Sequence, residues 1–391
     1  MNLTNLENKK VLNILSLFSG GGFLDIGFMN QGFQILEAIE HHEAFVDCYN
    51  AGIQSYVSKS QKSIFKSGVV TAYNILSPLD ATSENVQLEL ENKYKNVTGI
   101  IGGPPCQDFS VGGSNKGIEG ERGKLIFTYL EIVNKIKPLF IFFENVLGLY
   151  NNKEHQKGYY NLKKELQRDY HVLDGIMNAL DYGIPQDRPR LTMVGFRRDV
   201  VEKLIDNEFQ VSYEAAETSH RDYLFKWPEK KFKNAKGLNW PKTWAFNQGI
   251  VEDDIRAIPE KYHDLFVFSA FEGLGSNHSN QEEQFNPYSN KFKTISEGDT
   301  YRKSFKRLHR YRYSPTVAYG NNEVHLHPTE PRRLSVREAL RLQSVPDTYV
   351  LPKEISLTDK FKLISNGVPT KKAELIAKEI RRTLDNYFAL L

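Results

Sequence analysis

The first 200 residues alternate short apolar runs with stretches in which apolar residues recur at helical spacing. The apolar runs predict buried strands at Val11–Ser19, Phe33–Glu40, Val97–Gly103, Pro138–Val146, His171–Ala179 and Arg190–Arg198. Helices are predicted at Gly22–Gln31, His42–Tyr49, Lys124–Lys137 and Tyr159–Arg168. This alternation predicts an open, mostly parallel α/β sheet. Ligand sites in such sheets lie beyond the carboxyl ends of the strands, where the glycine turns at Gly20 and Gly102 fall.

The alternation stops near Lys203 and returns near Glu330. The segment between them is rich in Lys, Asn, Trp and Pro and has no repeat, which predicts a second, irregular domain. Beyond it, Leu334–Gln343 is a predicted helix that Ser335 caps, with Glu338 at the capping-box position. The chain closes with a predicted amphipathic helix, Lys371–Tyr387.

Composition adds few constraints. The chain has 391 residues, 40% of them hydrophobic and 25% charged, as expected of a globular protein with two domains. Its first apolar segment enters a glycine turn without a small-residue cleavage site, so we interpret it as a strand and not as a signal peptide. Two cysteines exclude a disulfide framework and favour a reducing cytoplasm. A net charge of +3 does not by itself indicate a polyanionic partner.

One of these cysteines stands in an unusual setting. The stretch "GIIGGPPCQDFS", Gly99–Ser110, places Cys106 directly after two prolines and two glycines at a strand end. A cysteine at a strand end is most often a small buried hydrophobe. Here the prolines fix the backbone and the glycines allow close approach, which favours a nucleophile over a packing role.

These residues belong to a longer series of motifs. "GGPPCQDFS", followed by "ENV" at Glu144–Val146 and "QDRPR" at Gln186–Arg190, strongly resembles the cytosine-C5 DNA methyltransferases of bacterial restriction-modification systems. Three more stretches match the family in the same order: Leu17–Phe28, Arg332–Asp347 and Ile364–Pro369. The resemblance implies a Rossmann-like S-adenosylmethionine-dependent methyltransferase sheet with a smaller, irregular target-recognition domain. We expect residues 1–200 to form the catalytic domain, 201–350 the target-recognition domain with the late helical motif, and 351–391 a return to the catalytic domain.

The resemblance assigns catalytic roles to Cys106, Glu144, Arg188 and Arg190. Cys106 would add to carbon 6 of a cytosine, because carbon 5 is too poor a nucleophile until a thiolate enriches the ring. Glu144 would contact N3 and the amino group, and a protonated carboxyl could supply a proton there. The two arginines would orient the base and stabilise developing charge. A stacked duplex covers the ring face, so the base must flip out.

The implied methyl donor is S-adenosylmethionine. The matching cofactor-binding positions are Phe18, Gly20, Gly22, Glu40, Asn74, Ile75, Pro105, Leu125 and Asn366. The chain departs from the family at Phe23 and Ser365, where glycines are usual, and at Asn74, where an aspartate is common. A nicotinamide-binding turn is disfavoured because the third glycine position of G-x-G-x-x-G, counted from Gly20, is Asp25.

Two segments concentrate positive charge. Arg221–Lys242 holds seven Lys or Arg against two acidic residues, and Lys291–Arg312 holds eight against two. Each alone would be interpreted as a solvated face. Together, interleaved with aromatics and beside a methyltransferase core, they favour double-stranded DNA as the partner. His325 and His327 lack the further ligands that a metal site needs, so we expect no metal there.

Alternatives remain open at this point. A related branch of the family uses the same core on tRNA, although the long basic domain favours duplex DNA. A catalytically inactive DNA-binding module is disfavoured by the intact "PPCQ", "ENV" and "QDRPR" motifs. We expect a cytoplasmic monomer with no membrane partner, and the resemblance allows a cognate restriction endonuclease in the same system. The recognised DNA sequence does not follow from these patterns.

Overall fold

The computed structural model describes residues 11–59, 78–105, 124–151, 153–208, 224–317, 319 and 324–391. Three of the predicted site residues, Cys106, Asn74 and Ile75, lie outside these ranges. Their assignments therefore stay predictions.

The strands and helices follow the predicted order. The strands are β1 Leu12–Leu17, β2 Phe33–Ile39, β3 Gly99–Gly102, β4 Phe140–Val146, β5 Tyr170–Asn178, β6 Gln186–Asp187, β7 Pro189–Arg197, β8 Lys306–Arg307, β9 Ser314–Pro315 and β10 His325–Leu326. The helices are α1 Phe23–Met29, α2 Glu43–Lys59, α3 Glu84–Lys93, α4 Lys124–Ile136, α5 Gly148–Asn151, α6 Lys153–Leu166, α7 Arg198–Glu208, α8 Glu252–Arg256, α9 Val267–Phe271, α10 Val336–Leu342, α11 Leu357–Asn366 and α12 Thr370–Phe388. Short 3₁₀ helices cover Ala179–Tyr182, Ala235–Gly237, Glu260–Leu265 and Asn290–Lys293.

Each element predicted in the first 200 residues is present, but α2 ends at Lys59 and not at Tyr49. Helices α3, α5, α7, α8, α9 and α11 were not predicted. No helix in the described ranges combines the length and apolar character needed to cross a bilayer.

Six strands form one sheet in the order β2-β1-β3-β4-β7-β5. The pairs β2–β1, β1–β3 and β3–β4 are parallel, whereas β7 runs antiparallel to both of its neighbours, β4 and β5. The predicted mostly parallel α/β sheet is confirmed, with β7 as its antiparallel member. The carboxyl ends of β1 to β4 therefore meet at one edge, where ligand sites of such sheets are found.

The core covers both faces of this sheet. Along β4, Phe140 and Phe142 belong to one buried cluster, and Ile141 and Phe143 belong to the cluster on the opposite face. Because successive side chains of a strand point to opposite faces, a strand buried on both sides must be apolar throughout. This explains why the first four residues of β4, residues 140–143, form an unbroken apolar run.

Helix α12 lies unusually close to α1. A Cβ built on Gly27 of α1 would lie 2.5 Å from the Cβ of Ala373 in α12 and 2.6 Å from the backbone nitrogen of Glu374. Only glycine permits this approach, and a larger side chain would push the helices apart. The contact holds the first turn of α12 against α1.

The late helical motif forms α10 with the predicted cap. The Ser335 hydroxyl accepts from the backbone N–H of Glu338 at 3.1 Å, and the Glu338 carboxylate accepts from the backbone N–H of Ser335 at 2.8 Å. Ala339 and Leu340 belong to the same buried cluster as Ile14 of the sheet. The helix thus packs in the core of the sheet, while the domain boundaries at residues 200 and 350 stay predictions.

The irregular segment has a small core of its own. Phe232, Trp240, Leu265 and Phe266 are buried together with Tyr313, and the rings of Trp240 and Tyr313 meet edge to face at 5.2 Å. Within residues 224–317, the α-helices are α8 and α9, which have five residues each. Aromatic packing between turns therefore takes the place of regular secondary structure here.

Three histidines are buried in or beside the irregular segment. Burial lowers the pKa of His309 and His325 to about 3 and that of His327 to about 4, because each ring loses the hydration that its charged form needs. An unfolded histidine titrates near 6.5, so the unfolded chain binds more protons than the folded chain below that pH. Stability contributed by these groups is present above pH 6.5 and is lost as the pH falls towards 3 to 4.

We expect His325→Phe to reduce this acid sensitivity. Both ring nitrogens of His325 lack a hydrogen-bond partner among the described residues, and the ring packs edge to face on Tyr319, so phenylalanine suits the site. The slope of the unfolding free energy against pH between pH 4 and 6 should fall by about 1.4 kcal/mol per pH unit. Urea denaturation at several pH values measures it. An unchanged slope would contradict a neutral His325.

Candidate active site

A glycine turn follows β1 at the carboxyl edge of the sheet. Phe18, Gly20 and Gly22 all have positive φ, of 56°, 53° and 76°. A Cβ built on Gly22 would lie 2.8 Å from the ring of Tyr49, so only glycine fits there. A Cβ built on Gly20 would meet no atom of the described residues within 4 Å. The turn thus presents bare backbone to open space, where a ligand can approach.

Glu40 closes this turn from the end of β2. Its carboxylate is buried, and Oε2 accepts from the backbone N–H of Gly20 at 3.0 Å. Oε1 accepts from the backbone N–H groups of His41 and His42, each at 3.0 Å. One carboxylate therefore ties the ends of two neighbouring strands together beside the open space.

The loop after α11 packs on the same turn. A Cβ built on Gly21 would lie 2.6 Å from the side chain of Leu363, and one on Gly367 would lie 2.2 Å from the ring of Phe23. Asn366, between these two contacts, ends α11 with an exposed side chain. The structure therefore brings Asn366, near the end of the chain, to the glycine turn, near its beginning.

The turn that leads to Cys106 is anchored to β4. Asn145 donates from Nδ2 to the carbonyl oxygen of Pro104 at 3.2 Å. A Cβ built on Gly103 would lie 3.3 Å from the backbone oxygen of Glu144 and 3.9 Å from its Oε2. Pro105 follows, half-buried, and Leu125 is half-buried in the first turn of α4. Sequence reasoning missed the anchoring role of Asn145, which stands inside the "ENV" motif.

Glu144 lies near the end of β4 between two cations. Its side chain is buried, Nε of Arg190 in β7 is 3.9 Å from Oε1, and Nζ of Lys372 in α12 is 3.4 Å from the same oxygen. The antiparallel register places Thr192 opposite Glu144 and Arg190 opposite Val146, which brings the arginine to the glutamate. The structure thus brings Glu144 of the "ENV" motif together with Arg190 of the "QDRPR" motif.

Lys372 was not among the predicted site residues. Its side chain is fully buried, and burial lowers the pKa of Lys372 to about 8. Arg190 and Arg188 add to this lowering, whereas the negative charge of Glu144 opposes it. A signal was present in the sequence: Lys372 stands one helical turn before the buried Ile376, on the apolar face of the amphipathic helix.

Arg188 is placed differently from Arg190. Its buried guanidinium donates from Nη2 to the carbonyl oxygens of Ser365 and Gly367, both at 2.9 Å, and from Nη1 to that of Val317 at 3.4 Å. These bonds link the turn before β7 to the loop after α11. The base-orienting role predicted for Arg188 stays a prediction, and the contacts present are structural.

The two basic segments are only partly available to a partner. Arg307 is buried and donates to the carbonyl oxygens of Ile295 and Glu330, and Arg310 pairs with Glu297 at 3.0 Å. Arg307 and Arg310 of the second run are thus bound inside the fold. Exposed lysines without an ion pair to another described residue remain at Lys233, Lys242, Lys291, Lys293 and Lys303.

The carboxyl edge thus combines a bare glycine turn, a buried glutamate flanked by cations, and the backbone that leads to a cysteine. Such a site can hold a flat polar ring against Glu144 and stabilise charge that develops on it. Among the described residues, no three His, Cys, Asp or Glu side chains are grouped to bind a metal ion.

Comparison with known proteins gives a consistent result. Residues 12–382 match the family described as C-5 cytosine-specific DNA methylase. The chain is 39% identical to the Type II methyltransferase M.NmeDI of Neisseria meningitidis serogroup C, over 98% of this chain and 86% of that protein. It is 30% identical to M.FnuDI, a Type II methyltransferase of Fusobacterium nucleatum, over 95% of both. Among solved structures, the Schizosaccharomyces pombe Dnmt2 methyltransferase aligns with a TM-score of 0.54 at 15% identity, covering 96% of this chain and 99% of that one, which supports the fold.

Proposed function

Because the chain belongs to the C-5 cytosine-specific DNA methylase family, we propose that it methylates carbon 5 of a flipped-out cytosine in a specific duplex DNA sequence. The observation that carries this proposal is the position of Glu144. It is buried at the carboxyl edge beside Gly103, three residues before Cys106, and it faces Arg190. Nucleophile, carboxyl group and guanidinium would therefore surround one ring.

The chemistry proposed for these side chains begins with Cys106. Its thiolate adds to carbon 6 of the cytosine, and the displaced electron pair moves through the ring to N3, where a proton from Glu144 neutralises it. Carbon 5 is then nucleophilic and would form a bond to the donor's methyl group while the bond between this methyl group and the sulfonium sulfur breaks. Loss of the carbon-5 proton to a base, elimination of the thiolate and return of the N3 proton to Glu144 restore the aromatic ring and free Cys106. Arg190, fixed by burial, binds the polar edge of the base.

The implied cofactor, S-adenosylmethionine, fits the residues present. The open space beside Gly20 accepts a ligand against bare backbone, and the buried Glu40 carboxylate stands at the end of β2, where ribose hydroxyls are held in folds of this kind. Phe18, Gly22, Leu125 and Asn366 are further residues that we assign to this cofactor site. When bound, the cofactor supplies an electrophilic methyl group.

Glu40→Gln should weaken cofactor binding and leave catalysis less affected. The amide keeps the shape but loses the charge and one acceptor, so we expect the dissociation constant for S-adenosylmethionine to rise about tenfold, or about 1.4 kcal/mol. Isothermal titration calorimetry measures it. The matched control is Glu43→Gln, an exposed glutamate in the first turn of α2. Equal affinity in the Glu40 variant and the wild type would contradict the assignment.

Duplex DNA would lie against the exposed lysines of the irregular domain, which can contact phosphates without breaking an internal ion pair. The Type II relatives support a role in restriction and modification. A cytoplasmic location, a monomeric state and a cognate endonuclease are further parts of the proposal.

Tritium transfer tests the reaction. Purified protein, labelled S-adenosylmethionine and either duplex DNA or tRNA are incubated, and the product is digested to nucleosides. We expect label in 5-methylcytosine of DNA. Label in tRNA alone would overturn the proposed substrate in favour of the RNA alternative, and no label in either would overturn the reaction. Bisulfite sequencing of DNA from an expressing host then gives the recognised sequence.

A further inference from the structure

Lys372 is a buried cation that lies outside the predicted motifs. It lies in the first turn of α12, its side chain has no exposed surface, and Oε1 of Glu144 accepts a hydrogen bond from its Nζ at 3.4 Å. Lysine is rarely buried completely, because its ammonium group loses hydration there. Its position directly behind a proposed catalytic side chain therefore needs a reason.

Packing alone does not supply that reason. The buried face of α12 around Lys372 is apolar, with Ala373, Ile376 and Ala377. An aliphatic residue at position 372 would continue this face, and replacing a buried ion pair by apolar groups of similar volume is often neutral or stabilising. The charge therefore points to a role at Glu144.

The two oxygens of Glu144 have different surroundings. Oε1 faces Lys372 and Arg190, at 3.4 and 3.9 Å. Oε2 lies on the side of Gly103, 3.9 Å from the position of a Cβ built there, next to the turn that leads to Cys106. The cations thus hold one oxygen and leave the other directed towards the place proposed for the base.

We propose that Lys372 is a positioning residue for methyl transfer, which holds Glu144 through Oε1 and stabilises the carboxylate that forms when Oε2 gives its proton to N3 of cytosine. This inference rests on the proposed function. The proton moves from Oε2 to N3 as the Cys106 sulfur bonds to carbon 6, and it returns to Glu144 on elimination. Throughout, the ammonium group keeps its own protons and acts by charge and hydrogen bonding.

A pH dependence follows from the charges that face Lys372. Glu144 on β4 favours the ammonium form, whereas Arg190 on β7 and Arg188 before it disfavour that form, and burial lowers the pKa of Lys372 to about 8. Above that pH the amine becomes neutral and no longer stabilises the carboxylate. The chemical step of the wild type should therefore slow as the pH rises through about 8.

Two substitutions separate charge from packing. Lys372→Arg keeps a charge that does not titrate in this range, and Lys372→Met keeps the length without the charge. Lys378→Met, on an exposed position of the same helix, is the matched control. Single-turnover methylation of duplex DNA is measured from pH 6.5 to 9.5, and the KM values for DNA and cofactor and the thermal melting curve are recorded for each variant.

We expect Lys372→Met to lower the single-turnover rate by roughly 10- to 100-fold, with KM values within about twofold of the wild type and no fall near pH 8. Lys372→Arg should recover most of the rate and extend the plateau above pH 8. If Lys372→Met does not fold, the dependence of the single-turnover rate of Lys372→Arg on pH tests the proposal by itself. Lys378→Met should behave as the wild type does.

The inference fails if Lys372→Met retains the rate and pH profile of the wild type, or if Lys372→Arg still slows near pH 8. The inference also fails if Lys372→Met loses rate only in proportion to a lower melting temperature and its rate depends on pH as that of the wild type does. The proposed function is tested separately by the wild-type protein. If wild type methylates no DNA, that function fails before any variant is compared.

Discussion

Cys106→Ala should abolish methyl transfer to DNA, with a loss on the order of 10⁴-fold or more, because no other step compensates for a missing nucleophile. Without thiolate addition, carbon 5 of cytosine stays a weak nucleophile in an aromatic ring. DNA and cofactor binding should persist, since alanine removes a single sulfur atom. Tritium incorporation into duplex DNA measures the rate, and a gel-shift assay on the same preparation measures DNA binding.

The other cysteine provides the control. Cys48 is fully buried in α2, and burial raises the pKa of its thiol to about 12, so it forms almost no thiolate at neutral pH. Cys48→Ala should therefore retain methylation at temperatures where the variant is folded. DNA with 5-fluorocytosine at the target should trap a covalent adduct with the wild type and with Cys48→Ala, because fluorine replaces the proton that elimination requires. An adduct with Cys106→Ala would refute the assignment of the nucleophile.

The parts of the site that could be predicted from the sequence share a local cause. A strand buried on both faces must be apolar throughout, so β4 is visible as a run, and the polar Glu144 at its end stands out. Parallel strands deliver their carboxyl ends to one edge, so the glycine turn after β1 and Glu40 after β2 were expected together. The hydrogen bond from Gly20 to Glu40 confirms that these two residues meet.

The parts that could not be predicted depend on contacts between distant segments. The antiparallel position of β7 between β4 and β5 determines which arginine reaches Glu144. The sequence of β7 does not indicate the direction in which this strand runs. Arg307 counts as a surface cation in the sequence, yet backbone carbonyls of its own domain bind it. Local charge patterns record how many cations a segment has, but not which of them the fold uses internally.

Lys372 illustrates the same limit at the site. Its ion pair with Glu144 joins residues 228 positions apart, and Lys372 lies in the turn of α12 that packs closely on Gly27 of α1. The apolar face of the amphipathic helix hints that this lysine is buried, but its partner becomes visible only in three dimensions. The buried charges around Glu144 therefore arise from the tertiary packing. They determine how a substitution of Glu144 changes the rate of methylation and the free energy of unfolding.

Glu144→Gln should lower the rate of methylation by roughly 10² to 10³-fold, because an amide of the same shape has no proton to give to N3. Stability should fall as well. Lys372 and Arg190 would face each other without an anion, and removal of one partner from a buried pair costs about 3 to 5 kcal/mol. Single-turnover rates and urea denaturation on the same preparation measure the two effects.

The double variant Glu144→Gln with Lys372→Met separates them. Removing the unpaired ammonium should restore part of the unfolding free energy, because one of the two uncompensated buried charges is gone. Activity should stay as low as in Glu144→Gln, since the proton donor is still missing. Recovery of activity together with stability would mean that Glu144 supports only the fold. Recovery of stability alone would mean that one carboxyl group serves both the packing of α12 against the sheet and the protonation of the base.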